Sequence, residues 1–306
     1  MRTNRTWLGA LALMAALFIV APVQGQERSF SGVEAIELDG VSGDVVVRAI
    51  DGDRVTVSVD HDIRPRGALE TEIEQRGDRL LLREHWSGRN GSGHVEWTIG
   101  VPASLAPRID IDTASGDLEV FGVEAEIRFD TASGDVRVGD ATLLAGSALN
   151  TASGDLKLRG VRAGRGFAAS TASGDVVIED SHGVLDGSSA SGEVTFISDS
   201  LDGPAEFSSA SGSVEVRLGS PPIHALEASS ASGDVILEAP FGADFTLVMT
   251  VRKDRGRIRG PFEYTEEETF ERHGDTYERK IVVRGSGGPE IRLSTASGSI
   301  DVRETS

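Results

Sequence analysis

A Ser-Gly pair returns along this chain at a nearly fixed interval, and that interval limits the fold more than any other feature. Its glycines are Gly43, Gly116, Gly134, Gly154, Gly174, Gly192, Gly212, Gly233 and Gly298. From Gly116 to Gly233 the steps are 18, 20, 20, 18, 20 and 21 residues. Such a period is shorter than the units of helical-repeat or propeller proteins and matches one coil of a β-solenoid.

The residues around each pair show which way the side chains point. Two apolar positions follow every motif: Leu118/Val120, Val136/Val138, Leu156/Leu158, Val176/Ile178, Val194/Phe196, Val214/Val216 and Val235/Leu237. Between them lie Glu119, Arg137, Lys157, Val177, Thr195, Glu215 and Ile236, mostly polar, which is the period-two alternation of a strand with one face inside. Upstream, Ile109/Ile111, Ile127/Phe129, Leu149, Phe167/Ala169, Ala205/Phe207 and Leu226/Ala228 form a second inward set, with Asp110, Asp112, Asp130, Asn150 and Glu206 among the residues facing water. The sequence therefore predicts an all-β chain, a single-stack parallel β-solenoid of about 20 residues per coil with irregular β caps at both ends. Each coil is expected to hold two strands meeting at the Ala-Ser-Gly-Asp corner, where glycine supplies a conformation closed to other residues and small residues let successive coils stack at the strand spacing of about 4.8 Å.

Stacking turns the corner into ladders. Serines recur at Ser115, Ser133, Ser153, Ser173, Ser191, Ser211 and Ser232, and acids at Asp117, Asp135, Asp155, Asp175, Glu193 and Asp234, with Ser213 interrupting. Carboxylates one strand spacing apart repel, so they require turn hydrogen bonds from backbone N–H groups or cations lodged between coils. Asp135, Asp155 and Asp175 are the candidate calcium ligands, with the structural turn role the favoured reading. The Gly-Gly-x-Gly-x-Asp pattern of calcium-binding nonapeptide repeats is absent, and Glu193 and Ser213 depart from a strict aspartate rule. No other cofactor is indicated. The row Thr113, Thr131, Thr151 and Thr171 has the regularity of an ice-binding face, but strand phase turns it inward.

Composition fits export. Arg2 and Arg5 precede an apolar run from Trp7 to Val20 and the small-residue site Val23-Gln24-Gly25, which predicts a signal peptide over 1–25. The run is short for a membrane span, and no second one follows. Cysteine is absent, so neither a lipid-anchored cysteine nor a disulfide framework is available. The net charge of −19 becomes about −21 once the two arginines are removed, which disfavours nucleic acid and suits cationic partners, divalent ions or simple solubility. The expected location is the periplasm, cell surface or extracellular space, with a surface polymer or envelope protein as partner and no membrane span after cleavage.

The flanks differ from the centre. Residues 26–108 read as N-terminal β coils and a cap, 109–240 as regular repeats, and 241–306 as a β-hairpin insertion followed by a last coil. None of His61, His85, His94, His182, His224 and His273 recurs with the repeat or sits in a nucleophile-elbow context, so no catalytic triad is nominated. His85 and His94 flank a Gly-rich loop in which a metal site is the minor alternative to a polar turn. Arg255, Arg257 and Arg259 alternate and are expected to pair with Glu266, Glu267 and Glu268 rather than to bind an anionic glycan.

Serial Thr-Ala-Ser-Gly-Asp-aliphatic-x-aliphatic units, with Val101-Pro102 ahead of a strand and the N-terminal segment described, make the chain resemble the bacterial adhesin-like β-strand-repeat domain family of unknown function over roughly residues 33–302. The resemblance implies a β-solenoid envelope protein and brings no catalytic residues with it. The expected function is a noncatalytic secreted or envelope scaffold presenting a Ser/Asp-rich acidic face to a surface polymer or protein. Two alternatives stay open: a cation-responsive, calcium-binding envelope-stress module, and a β-helix enzyme acting on polysaccharide.

Overall fold

The computed structural model describes residue 25 and residues 27–87 and 92–305, so the predicted signal peptide lies outside the described residues. Every regular element among them is a β-strand. The motif repeats stack in register. Leu118, Val136, Leu156, Val176, Val194, Val214 and Val235 sit directly above one another in parallel pairs, and Val45 and Ile300 extend the column at its ends. These strands, which follow the corner, form the trailing face. The strands that precede it form the leading face, where Ile109, Phe129, Leu149 and Ala169 line the inside.

The core is the narrow space between the two faces. All fourteen apolar positions read from the motif strands are buried, with Phe196 and Phe207 stacked across the interior at 4.9 Å. Small residues make room for large ones: a methyl group on Gly187 would press on Phe207 and Ile178. Several coils are three-sided, because Thr142–Leu143, Arg162–Ala163 and His182–Gly183 form a short third parallel face with the start of Glu124–Ser133. The two-strand coil inferred from the alternation lacks this face, since two-residue strands are too short to alternate visibly.

The turn onto the third face uses left-handed backbone at Gly122, Asp140, Gly160 and Asp180. The motif glycines serve another purpose. A Cβ on Gly154 would overlap the carbonyl of Gly134, and the same overlap recurs at Gly134, Gly174, Gly192, Gly212, Gly233 and Gly298 with the glycine of the neighbouring coil. Close stacking requires these glycines, as expected for small residues at the corner, whereas none of them adopts the left-handed backbone that is the other expectation from sequence.

At both ends, order in space departs from order in the chain. The coil Ala35–Asp39/Gly43–Ile50 lies between Arg79–Trp86/Ser92–Pro102 and Arg108–Ser115/Leu118–Phe121. Likewise Glu290–Thr295/Ile300–Glu304 is intercalated between Leu226–Ser230/Val235–Ala239 and Phe245–Arg252/Ile258–Arg259. Beyond these coils the strands turn antiparallel: Val55–Arg64 and Leu69–Arg76 at one end, Asp275–Arg284 and Glu266–Arg272 at the other. Both long sheets are open: the charged antiparallel strands Leu69–Arg76 and Glu266–Arg272 blunt the edges of the leading one, and the trailing one ends in the short strands Arg28–Phe30 and Ile258–Arg259.

One buried carboxylate finishes the N-terminal end. Glu84 Oε2 accepts the N–H of Val41 at 2.9 Å, of Ser42 at 3.3 Å and of the Trp86 indole at 3.0 Å, while Oε1 accepts the Trp97 indole N–H at 3.0 Å. Glu84 sits over Gly43, where the preceding glycine carbonyl would lie in an inner coil.

Candidate functional site

Three parallel ladders run from the corner. The innermost consists of Thr113, Thr131, Thr151, Thr171, Ser189, Ser209, Ser230 and Thr295, none more than 9% exposed. From Thr151 to Ser230 each hydroxyl is shared by two coils. Thr171 Oγ1 donates to the Gly154 carbonyl at 2.9 Å and accepts the Gly174 N–H at 3.1 Å. Ser189 repeats this with Gly174 and Gly192 at 2.9 and 2.8 Å, and Ser209 with Gly192 and Gly212 at 2.8 Å each. The inward phase read for the threonines is thereby explained: a buried hydroxyl supplies both a donor and an acceptor where the corner leaves a carbonyl and an amide unpaired.

The second ladder is the acid row. Asp135 Oδ1 accepts the Asp155 N–H at 3.0 Å, Asp155 Oδ1 the Asp175 N–H at 2.9 Å, and Asp175 Oδ1 the Glu193 N–H at 2.8 Å. Asp44 and Asp117 continue the row towards the N-terminus, Ser213 substitutes its hydroxyl, and Asp234 accepts the Ser299 N–H at 2.7 Å. Cationic side chains offset the charge. Arg137 lies 3.1 Å from Asp135 and 3.7 Å from Asp117, and Lys157 lies 3.8 Å from Asp155. Among the described residues no group of three or more His, Asp or Glu side chains is arranged to hold a metal ion.

The third ladder faces solvent on the leading sheet. Asp39, Asp112, Asp130, Asn150, Ser170, Ser188, Ser208, Ser229, Ser294 and Thr250 occupy one continuous in-register row. Its members are linked where they touch: Asn150 donates to Asp130 at 2.9 Å, and Ser170 to Asn150 at 2.6 Å. The row is acidic at the N-terminal end and hydroxylic towards the C-terminus. Partial burial, with Asp130, Asp39 and Asp110 close by, raises the pKa of Asp112 above the ordinary aspartate value. Burial chiefly, and then Glu206, does the same for Asp186.

The histidines and the arginine trio stand elsewhere. His85 is 3.1 Å from Glu72 on the leading sheet, and His94 is 3.6 Å from Asp44 on the trailing one, so the two do not converge. His182 Nδ1 is 2.9 Å from Asp202, but the Ser200 hydroxyl donates to Asp202 instead of the imidazole, which is not the wiring of a nucleophile. Glu268 pairs with Arg279 and Glu267 with Lys280 across their own hairpin. The expected pairing with Arg255, Arg257 and Arg259 is therefore overturned: strand order makes Asp275–Arg284 the partner of the acidic strand, while Arg255 lies in a turn, Arg257 outside any strand and Arg259 in the other sheet. Sequence reasoning also missed Gly256, whose Cβ would overlap the Gly298 carbonyl and which continues the glycine column without an Ala-Ser before it.

Stacked parallel coils, a shared hydroxyl clamp and solvent-facing ladders define a β-solenoid repeat protein. The chain belongs to the Toastrack DUF4097 family, whose model matches residues 33–254. No curated protein matches it. Solved structures similar to it include a "putative cell adhesion protein" from Clostridium sporogenes, with 9% identity and a TM-score of 0.27 over 92% of this chain and 99% of that one. A "putative adhesin" from Parabacteroides merdae has 12% identity and a TM-score of 0.33, over 94% and 100%. Another, from Parabacteroides distasonis, has 11% identity and a TM-score of 0.35, over 91% and 96%.

Proposed function

We propose that the protein is a noncatalytic, exported scaffold of adhesin type, whose leading face engages a surface polymer or protein of the cell envelope. The observation carrying this reading is the outward row from Asp39 to Thr250, one polar side chain per coil, spaced at the strand repeat of about 4.8 Å. A row of short polar groups at a constant spacing suits a repetitive ligand, because each coil offers a contact at the same place and weak contacts add along the stack. The acid ladder at the corner has a structural part in this reading, since its Oδ1 atoms are engaged by the next coil. Export rests on the N-terminal segment over 1–25.

The test is cosedimentation of the secreted chain with isolated cell envelopes. Ser170→Lys with Ser188→Lys should abolish retention by placing two long cations in the row, whereas Val177→Lys on the trailing face should leave it intact. Equal retention of both variants would remove the leading face as the contact surface.

A further inference from the structure

The leading sheet does not stay flat to its end. Past Phe245–Arg252, the antiparallel strands Asp275–Arg284 and Glu266–Arg272 rise to form one wall of a groove of about 1140 Å3. Its floor is the hydroxylic half of the outward row, Ser188, Ser208, Ser229, Ser294 and Thr250. Cross-strand partners Phe270 and Tyr277 stack on the wall, with ring centroids 5.7 Å apart at 18°. The Arg279 guanidinium lies 4.6 Å from the Phe270 centroid and is tied to Glu268 at 2.6 Å.

Charge separates this groove from the rest of the molecule. Three arginines line it, Arg272, Arg279 and Arg292, against the glutamates Glu227 and Glu290 and the Glu268 that pairs with Arg279, so the groove is balanced in charge within a chain of net charge −19. Arg292 is held by Glu290 at 2.7 Å. Arg272 is exposed and has no carboxylate within ion-pair distance among the described residues, and the Arg279 Nε–H is shut off from solvent without an acceptor. An unpaired arginine, Arg272, beside an aromatic pair and over a floor of hydroxyls matches a ligand with apolar ring faces, many hydroxyls and acid groups.

We infer that this groove binds an extended polysaccharide carrying carboxylate groups, a polyuronate-type chain. Its sugar faces rest on Tyr277 and Phe270, its hydroxyls meet Ser208, Ser229 and Ser294, and a carboxylate pairs with Arg272. The coil rise of about 4.8 Å is close to the length of one sugar unit, so successive sugars meet successive coils. This assignment rests on the scaffold reading and names the polymer that the leading face would engage.

Binding of the full chain to polygalacturonate fragments and to neutral dextran of similar length, measured by titration calorimetry, tests it. The uronate should bind and dextran should bind at least about tenfold more weakly. Arg272→Gln, at an exposed position, should lower uronate affinity about tenfold or more with an unchanged melting temperature. Arg159→Gln, which removes one exposed cation from the trailing face, should retain binding, and this separates a loss at the groove from a general change of charge. No uronate binding by the native chain, equal binding of dextran, or full affinity in Arg272→Gln would overturn the assignment. Retention on envelopes without uronate binding would leave the scaffold reading standing and point to a protein partner, whereas loss of both would sink both.

Discussion

Thr171 shows how much one hydroxyl carries here. It bridges Gly154 and Gly174, two groups that the corner geometry leaves without strand partners. Thr171→Val keeps the shape and removes the bridge, stranding a buried carbonyl and a buried N–H, at a cost of about 1–3 kcal/mol. Thr171→Ser should cost less, because Ser189, Ser209 and Ser230 already make this clamp in later coils. Denaturant midpoints of the two variants decide the matter, and equal losses would mean that the methyl packing, not the hydroxyl, holds the corner. Residue type at this position was plain in the sequence, as was its inward phase. Its two partners were not, because one of them lies in a different coil.

Among the elements, the acidic start of the outward row predicts a pH dependence. Asp112 stands between Asp39 and Asp130 in adjacent strands, and its pKa is raised by partial burial first and by those neighbours next. A carboxyl whose folded pKa lies above its unfolded one contributes stability that is fully present below the unfolded value and is lost as pH rises through the folded value. Asp112→Asn should therefore melt higher than the native chain at about pH 7, with the gap closing as pH falls towards about 4. Asn150 supplies the precedent, since its amide donates to Asp130 in the same row. A gap independent of pH would show that the aspartate charge is not what strains these strands. The acidic residues were legible individually from the alternation. Their adjacency was not, because Asp39 and Asp112 come together only through the displaced first coil.

For the whole molecule, the intercalated last coil is the critical feature. Residues 290–304 fill a slot between coils that the chain has already built, and Ile291, Leu293, Ile300 and Val302 are buried there. Truncation after Gly288 should lower the melting temperature by about 10 °C or more, from loss of apolar burial worth about 1.5–3 kcal/mol per side chain, and should open sheet edges to other chains. Light scattering and thermal unfolding check this. A truncated chain that stays monomeric with the native midpoint would mean that the two flanking coils close on each other without it.

By itself the sequence determined the solenoid. A fixed period, a strict apolar alternation after each motif and one glycine per coil leave a parallel stack as the structure that buries every aliphatic position, and these signals are local. Tertiary structure alone decided which coil lies beside which at the ends, that Glu84 finishes the glycine column, that Arg279 and Lys280 rather than the arginine trio meet the acidic strand, and that a curled hairpin turns the hydroxyl row into a groove. Each of these depends on pairing between segments far apart in the chain. Alternation fixes which side of a strand faces inward, but it carries no information about the neighbour on either edge.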